Sequence, residues 1–228
     1  MNDQRSKAVI SPEVMARAID HTVLKPDAVS GDLDVLADEA RAHGFCAVCV
    51  NSCHVALVGE RLKGSDVNVC TVVGFPLGAM HPKAKACEAE IAVENGASEI
   101  DMVLNVGALI SGELSTAEAD ILEVRHAIGA GSVLKVIIET CLLTDKEKVL
   151  ACNIAASAGA DFVKTSTGFS SGGATLEDVR LMKQTVGDHL QVKASGGIKD
   201  WHTAAGMLRA GATRIGTSAG VAILQDAP

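Results

Sequence analysis

Eight short apolar runs, rich in β-branched residues, alternate along the chain with stretches of helical periodicity. Strands are predicted at 18–22, 45–50, 67–74, 99–105, 133–139, 161–165, 190–195 and 213–217. Several runs are apolar almost throughout, which is typical of parallel strands that are covered on both faces. Because the units alternate with short connections and leave no segment over, we predict a single (β/α)8 TIM barrel of the α/β class spanning residues 1–228.

A doubly wound open sheet is the alternative architecture. That fold usually has a glycine-rich turn after its first strand, where the ligand binds. Here the first predicted strand is followed by Val23-Leu24-Lys25-Pro26, which contains no glycine. The closed barrel is therefore favoured.

Composition and charge narrow the classes of function. The net charge is −8, aromatic residues make up 2% and tyrosine is absent, which disfavours a nucleic-acid partner. We find no apolar run long enough to span a membrane and no apolar segment of a secretory signal in the first ten residues. The seven cysteines are an odd number and are scattered, so we expect reduced thiols and a cytoplasmic protein without a membrane partner.

Two lysines near the ends of consecutive predicted strands are the strongest chemical signal. Lys164 and Lys193 each lie close to the C-terminal end of an apolar run. Because neighbouring strands lie about 4.8 Å apart, we expect the two amines to meet at the mouth, the end of the barrel formed by the C-terminal ends of the strands. Like charge and desolvation both favour the neutral amine, the form that attacks a carbonyl group. The alternative is that both side chains extend to the rim and pair with carboxylates.

A carboxylate and a glycine occupy positions in other strand units that are equivalent to the position of one of these lysines. Asp101, Lys164 and Gly216 each follow a helix-ending Gly-Ala pair, five residues after its glycine, so we expect similar heights in the barrel. A carboxylate in an apolar strand needs a partner. Asp101 is therefore either half of a structural ion pair or a general acid/base, and Asp20 is a weaker candidate for the same network.

Glycines and hydroxyls cluster after the last three predicted strands. The segments are Thr165-Ser166-Thr167-Gly168, Ala194-Ser195-Gly196-Gly197 and Gly216-Thr217-Ser218-Ala219-Gly220. In TIM barrels the loops after strands seven and eight often bind phosphate through backbone N–H groups. The alternative interpretation is that these segments are ordinary tight turns.

The cysteines raise the question of a metal site. Cys46, Cys49, Cys53 and His54 have a compact spacing. Cys46 and Cys49, however, fall three residues apart in one predicted strand, so their side chains point to opposite faces and tetrahedral zinc would require the strand to unwind. We expect no metal, and we expect Cys46 to lie near the mouth as a candidate reactive thiol.

Seven ordered segments between about residues 18 and 222 resemble the deoxyribose-phosphate aldolase family. They are Ile19-Asp20-His21-Thr22-Val23-Leu24-Lys25-Pro26, Val72-Val73-Gly74-Phe75-Pro76-Leu77-Gly78, Glu99-Ile100-Asp101-Met102-Val103, Lys135-Val136-Ile137-Ile138-Glu139-Thr140, Phe162-Val163-Lys164-Thr165-Ser166-Thr167-Gly168, Val192-Lys193-Ala194-Ser195-Gly196-Gly197 and Arg214-Ile215-Gly216-Thr217-Ser218. The order and number of these motifs make the resemblance far more specific than any one of them.

The resemblance implies a class I aldolase, an aldehyde-lyase of deoxyribonucleoside catabolism. Such an enzyme reversibly cleaves 2-deoxy-D-ribose 5-phosphate to D-glyceraldehyde 3-phosphate and acetaldehyde through a lysine Schiff base, with no cofactor. It implies that Lys164 forms the Schiff base, that Lys193 perturbs Lys164 and assists proton transfer, and that Asp101 relays protons. The choice between the two lysines rests on the resemblance and not on their spacing.

The resemblance also implies a phosphate site. It is formed by Gly168, Gly196, Gly197, Gly216 and Ser218, with Thr167 near the substrate hydroxyls. The chain departs from some family members in three ways: Phe169 stands where they have a lysine, Ala219 stands where they have a serine, and the C-terminal tyrosine that assists proton transfer is absent.

Three other functions remain open at the level of the residues. The first is a barrel isomerase or lyase with Asp101 as its base. The second is a non-catalytic sugar-phosphate sensor, and the third is a metal-dependent aldolase. In each case the partners are small sugar phosphates or aldehydes, and a homodimer or higher homo-oligomer is expected from the frequency of such assemblies.

Overall fold

The computed structural model describes residues 10–228 as a closed barrel of eight parallel strands arranged in chain order. The strands are β1 (Ile19–Val23), β2 (Ala47–Val50), β3 (Asn68–Val73), β4 (Glu99–Val103), β5 (Val133–Ile137), β6 (Phe162–Lys164), β7 (Gln191–Ser195) and β8 (Arg214–Thr217). Seven of them lie inside their predicted runs, and β1 is displaced from its run by one residue. The predicted (β/α)8 TIM barrel is confirmed.

Ten α-helices surround the barrel within the described residues. They are α1 (Pro12–Ala16), α2 (Ser30–His43), α3 (Val55–Arg61), α4 (Pro82–Glu94), α5 (Val106–Ile110), α6 (Leu114–Ile128), α7 (Asp145–Ser157), α8 (Leu176–Val186), α9 (Trp201–Ala210) and α10 (Gly220–Gln225). Short 3₁₀ helices cover Ser52–His54 and Thr140–Leu142. None of the helices described between residues 10 and 228 combines the length and apolar character needed to cross a membrane.

The sequence predicts three helix starts: capping boxes that begin at Thr144 and at Ser115, and Pro82 in a first helical turn. Two of these predictions are confirmed and one is wrong. Thr144 caps α7 and forms the predicted reciprocal pair with Glu147. Pro82 occupies the first turn of α4 as predicted, where its missing N–H is not needed. Ser115 does not cap a helix, because α6 begins one residue earlier, at Leu114, with Glu113 in the cap position.

The two faces of the strands have different environments. The outward residues, such as Ile100 and Val136, pack with helix residues such as Leu36 and Ile121 into one large apolar layer. Each such buried side chain contributes about 1.5–3 kcal/mol, so this layer supplies most of the stability. A smaller apolar cluster inside the barrel consists of Leu24, Ala47, Cys49, Cys70 and Val72, with Phe75 packed against it. The remaining inward-facing positions of the barrel include charged side chains.

Candidate active site

Four consecutive strands each contribute one cation to the barrel interior. They are Lys135 on β5, Lys164 on β6, Lys193 on β7 and Arg214 on β8. In the parallel register Lys164 lies opposite Lys193, and Lys193 lies opposite Arg214. Because alternate residues of a barrel strand point inward, this register directs the cations to one side of the interior.

Asp101 on β4 is the carboxylate that the three lysines share. Its Oδ2 accepts hydrogen bonds from the Nζ atoms of both Lys164 and Lys193, each at 2.7 Å. Its Oδ1 accepts from Lys135 Nζ at 2.8 Å. The structure therefore brings Asp101, Lys164 and Lys193 together at the C-terminal side of the barrel, as the sequence predicts.

Two further carboxylates bind the cations nearer the base of the barrel, the end opposite the mouth. Arg214 Nη1 donates to Asp20 Oδ1 at 2.6 Å and lies 3.0 Å from Glu99 Oε2. Lys135 Nζ lies 2.5 Å from Glu99 Oε2, and Lys193 forms an ion pair with Asp20 Oδ2. Asp20 belongs to the same network as Asp101, as the sequence suggests.

The network has one more cation than carboxylates. Its charged members among the described residues are four cations, Lys135, Lys164, Lys193 and Arg214, and three carboxylates, Asp20, Glu99 and Asp101. Lys193 contacts two of these carboxylates, whereas Lys164 contacts only Asp101, which it shares. Lys164 is also the last residue of β6, and its side chain is 4% exposed, against 0% for Lys193. Lys164 is therefore the least compensated and the most accessible of the three lysines.

Charge compensation decides the protonation of the deeper groups. Burial opposes ionisation of Asp101, but the charges of Lys135, Lys164 and Lys193 outweigh it and hold the pKa of the carboxyl well below its ordinary value. Burial likewise disfavours the ammonium of Lys193, but Asp101 and Asp20 outweigh burial and the repulsion from Lys135, and the pKa of Lys193 is raised. The same balance raises the pKa of Lys135. The expectation that like charge favours the neutral amine is therefore wrong for Lys193, because two carboxylates surround it.

Two buried thiols line the interior beside this network. Cys70 Sγ lies 3.2 Å from Asp101 Oδ1 and 3.3 Å from Lys135 Nζ. Potential ligand atoms of Cys49, Cys70 and Asp101 lie within 4.8 Å of one another, as do those of a second group that includes Asp20 and Glu99. The carboxylates of both groups already accept hydrogen bonds from the interior cations, so a metal ion would have to displace ammonium or guanidinium groups.

The cysteines singled out by spacing do not form a site. Cys46 precedes β2 and so lies at the base of the barrel, where the charges of Arg214, Asp20 and Glu99 reach it. Burial raises the pKa of its thiol. The expectation of a reactive Cys46 at the mouth is wrong, because residues that precede parallel strands gather at the opposite end from those that follow them. Cys49 points into the barrel, whereas Cys53 is exposed.

Thr167 lies at the mouth and is held by a carboxylate. Its Oγ1 donates to Glu139 Oε2 at 2.5 Å and accepts from Phe169 N at 3.1 Å. The next residue but one, Phe169, is 54% exposed and meets Phe75 edge to face, with the ring centroids 5.3 Å apart. The loop after β6 thus combines a fixed hydroxyl, the exposed Gly168 and an aromatic wall.

The predicted phosphate-binding residues divide into two groups. Gly196 lies so close to Gly173 that a Cβ on Gly173 would be 2.3 Å from Gly196 O, so these two loops approach backbone to backbone. Gly197 and Ser218 are exposed, as is Gly168. Gly216 is different, because it is buried in β8 and a Cβ there would lie 3.1 Å from Lys193 Cε. It leaves room for the lysine side chain.

Sequence reasoning missed several members of the site. Lys135, Glu99 and Arg214 take part in the charge network, and the rule that selected Asp101, a charge within an apolar strand, would have found Lys135. Glu139 was missed although the predicted strand 133–139 includes it, and in the structure it follows β5, which ends at Ile137. Two buried hydroxyl oxygens near the mouth, those of Thr140 and Ser166, have no hydrogen-bond partner within residues 10–228.

Comparison with known proteins identifies the same family along almost the whole chain. A model of the DeoC/LacD family of aldolases matches residues 14–226. The deoxyribose-phosphate aldolase of Brevibacillus brevis is 58% identical over 213 residues, which cover 93% of this chain and 96% of the relative. That of Streptococcus gordonii is 59% identical over 207 residues, 91% of this chain and 94% of the relative.

Solved structures agree with these sequence matches. The deoxyribose phosphate aldolase of Aeropyrum pernix, which is described as having a unique tetrameric structure, is 34% identical and superposes with a TM-score of 0.90. The alignment covers 97% of this chain and 94% of the other. The barrel fold therefore has a counterpart in a solved enzyme of the same family.

Proposed function

The chain belongs to the DeoC/LacD aldolase family and is an aldehyde-lyase, and from this premise we propose that it reversibly cleaves 2-deoxy-D-ribose 5-phosphate through a Schiff base on Lys164. The products are D-glyceraldehyde 3-phosphate and acetaldehyde. The names of the relatives support this substrate. The single observation that carries the mechanism is that Lys164, alone among the interior lysines, has only one shared carboxylate and lies at the mouth.

The choice of Lys164 follows from the chemistry of carbonyl attack. Only the neutral amine is a nucleophile, and burial favours the neutral form unless a carboxylate compensates the charge. Lys193 and Lys135 each contact more than one carboxylate, so their ammonium forms are stabilised. Lys164 shares its single carboxylate, Asp101, with both of them, so it has the weakest ionic compensation of the three.

The reaction begins when Lys164 Nζ adds to the C1 aldehyde of the open-chain sugar. Loss of water gives a protonated imine, which acts as an electron sink. The C3 hydroxyl then loses its proton, the C2–C3 bond breaks, and its electron pair moves towards the imine to give an enamine. D-Glyceraldehyde 3-phosphate leaves. Protonation of the enamine at C2 and addition of water to the resulting imine release acetaldehyde and restore the amine.

Asp101 and Lys193 are suited to move the protons of these steps. Asp101 Oδ2 touches both Lys164 and Lys193, so a proton can pass between the two amines through one carboxylate. The lowered pKa of Asp101 makes it a weak base by itself, which favours a relay over an isomerase in which Asp101 alone removes a proton from carbon.

Loop residues at the mouth are suited to bind the phosphate. Gly168, Gly196, Gly197 and Ser218 border the mouth and offer backbone N–H groups at a distance from the reacting carbons. Thr167, fixed by Glu139, faces the hydroxyls of the sugar in this proposal. Gly216 contributes through the space that it leaves for Lys193 and not through contact with phosphate.

The setting of the reaction is part of the proposal. We expect the enzyme to act in the cytoplasm, in the breakdown of deoxyribonucleosides, and to form a homodimer or a higher homo-oligomer. No cofactor takes part in the steps above. Sedimentation or light scattering of the purified protein tests the oligomeric state.

A direct assay tests the function. The protein is incubated with 2-deoxy-D-ribose 5-phosphate, and both products are measured with and without a chelator. We expect stoichiometric acetaldehyde and D-glyceraldehyde 3-phosphate, unaffected by the chelator, and irreversible inactivation when borohydride is added with substrate. Turnover that a chelator abolishes would favour a metal-dependent aldolase. Binding without turnover would favour a sugar-phosphate sensor.

A further inference from the structure

Arg214 lies at the base of the barrel, and the proposed mechanism gives it no task. It is the first residue of β8, and its Nη1 bonds Asp20 Oδ1 at 2.6 Å and both oxygens of Glu99 at 3.0 and 3.3 Å. Its guanidinium also stacks over the ring of Phe162, with Cζ 5.4 Å from the centroid. A charge held at the base does not touch the substrate, so its effect at the mouth is electrostatic.

The groups that link Arg214 to Lys164 form a continuous chain of ion pairs. Arg214 and Lys193 use different oxygens of Asp20, and Lys193 and Lys164 use the same oxygen of Asp101. Titratable groups on every strand around Lys164 contribute to the electrostatic potential at its amine. The titratable groups that face the interior are Asp20 on β1, Cys49 on β2, Cys70 on β3, Glu99 and Asp101 on β4, Lys135 on β5, Lys193 on β7 and Arg214 on β8, and Glu139 lies at the mouth in the loop after β5.

We propose that Arg214 is a positioning residue for the nucleophile: by occupying Asp20 and Glu99 at the base of the barrel, it leaves Lys164 without a carboxylate of its own. With Arg214 present, the ion-pair network holds four cations and three carboxylates, and one amine can lose its proton without creating net charge. Without Arg214, three lysines face three carboxylates, and every lysine can remain protonated at no net charge. The inference rests on the proposed role of Lys164.

The count of charges predicts opposite shifts of the pH–rate profile for variants of the two partners of the Arg214–Glu99 ion pair. Arg214→Met removes the extra cation and should move the acid limb of the pH–rate profile to higher pH. Glu99→Gln removes a carboxylate, nearly preserves shape, and should move the same limb to lower pH. The double variant restores an excess of one cation, so its profile should return towards that of the parent. Arg214→Lys keeps the charge and should behave like the parent.

The expected size of each shift follows from the geometry. Two strand spacings separate β6 from β8, which places the charges roughly 10 Å apart. With an effective dielectric constant of about 20, removal of one unit charge at this distance shifts a titration by about one pH unit. At a pH on the acid limb, Arg214→Met should therefore lower kcat/KM about tenfold through protonation alone.

The experiment measures kcat/KM for 2-deoxy-D-ribose 5-phosphate against pH, and in parallel the rate of borohydride trapping of acetaldehyde on Lys164. Arg180→Gln, which removes an exposed arginine of α8, is the control for loss of a positive charge. Circular dichroism confirms folding. If Arg214→Met does not fold, Glu99→Gln alone decides, since an unmoved acid limb overturns the proposal.

A merely structural role for Arg214 gives a different result. Arg214→Met and Glu99→Gln would then both lower activity, without opposite displacements of the profile and without recovery in the double variant. Failure of this inference is also distinct from failure of the proposed function. An adduct on Lys164 with an unmoved pH dependence rejects only the role of Arg214, whereas the absence of an adduct on Lys164 rejects the mechanism itself.

Discussion

Two regions of the molecule bury a lysine completely, and they use it in different ways. In the barrel interior, Lys193 and its neighbours share carboxylates within a network that has an excess of cations. Outside the barrel, Lys85 on α4 pairs with Asp120 on α6, with Nζ and Oδ2 2.6 Å apart and both side chains fully buried. Lys85 is matched one to one, whereas the interior lysines are not.

The pair outside the barrel has the features of a structural clamp. Lys85 Nζ also donates to Val103 O at 2.9 Å, and Asp120 Oδ2 accepts from Asn105 N at 3.2 Å, so the pair fixes the end of β4 to two helices. Burial lowers the pKa of Lys85 and raises that of Asp120 despite their mutual attraction. The aliphatic chain of Lys85 packs against Gly74, away from the interior. Burial of a lysine is therefore not sufficient for a catalytic role; unequal compensation and access to the mouth distinguish Lys164.

The largest expected effect separates the two regions by activity. Lys164→Met should lower kcat by a factor on the order of 10⁴ or more, because the covalent path is lost, while the protein remains folded. Lys85→Met should leave kcat per folded molecule within a few-fold of the parent. Steady-state kinetics on protein whose folded fraction is known from circular dichroism makes the comparison. Equal losses in both variants would remove the distinction drawn here.

The second prediction concerns stability, for which the lysine outside the barrel should matter most. Lys85→Met leaves Asp120 buried without its cation and should destabilise the fold by about 3–5 kcal/mol. The double variant Lys85→Met/Asp120→Leu removes both charges and should recover most of that loss. Thermal unfolding followed by circular dichroism gives the order of Tm values. A single variant as stable as the parent would show that the pair clamps nothing.

The third prediction concerns acid stability. The pKa values of Asp20 and Asp101 are held below their ordinary range in the folded state, Asp20 by Lys193, Lys135 and Arg214 against the opposing effect of burial. The unfolded chain therefore binds more protons below about pH 4, so the stabilisation is present above that pH and is lost as the pH falls further. The Tm of the parent should drop between about pH 5 and about pH 3. The Asp20→Asn variant should show a weaker dependence of Tm on pH. Asp120→Asn should not weaken it, since the pKa of Asp120 is raised.

The smallest expected effect gives the scale for a change far from both regions. Thr144→Ala removes the cap of α7, in which Thr144 Oγ1 accepts from Glu147 N at 3.4 Å. Loss of such a cap costs about 1 kcal/mol. Tm should fall slightly, and the pH–rate profile should be unchanged. A displaced profile would mean that the profile reports general loosening of the barrel and not the charges inside it.

Much of the fold could be read from the sequence because its signals are local. Apolar runs at 99–105 and 133–139 predicted strands that are covered on both faces, and the eightfold alternation predicted their closure. Asp101, Lys164 and Lys193 were found because a charge in an apolar strand is conspicuous. The capping assignment at Ser115 failed because a serine three residues before a glutamate is also compatible with a position inside the first turn.

The rest of the site depends on contacts between distant residues. Lys193 meets Asp20 across 173 positions of sequence, and no periodicity predicts that a carboxylate there would raise the pKa of the lysine. The position of Cys46 at the base required the start of β2, which differs by two residues from the predicted run. The charge count could be made only once the strands that close the barrel were known.

The most direct test of the proposed mechanism is to find which lysine carries the reduced adduct. The protein is incubated with acetaldehyde, treated with borohydride, digested and examined by mass spectrometry of its peptides. We expect one ethyl group on Lys164 and unmodified peptides for Lys135, Lys193 and Lys85. An ethyl group on Lys193 with Lys164 unmodified would contradict the mechanism, because the amine held by two carboxylates would then be the nucleophile.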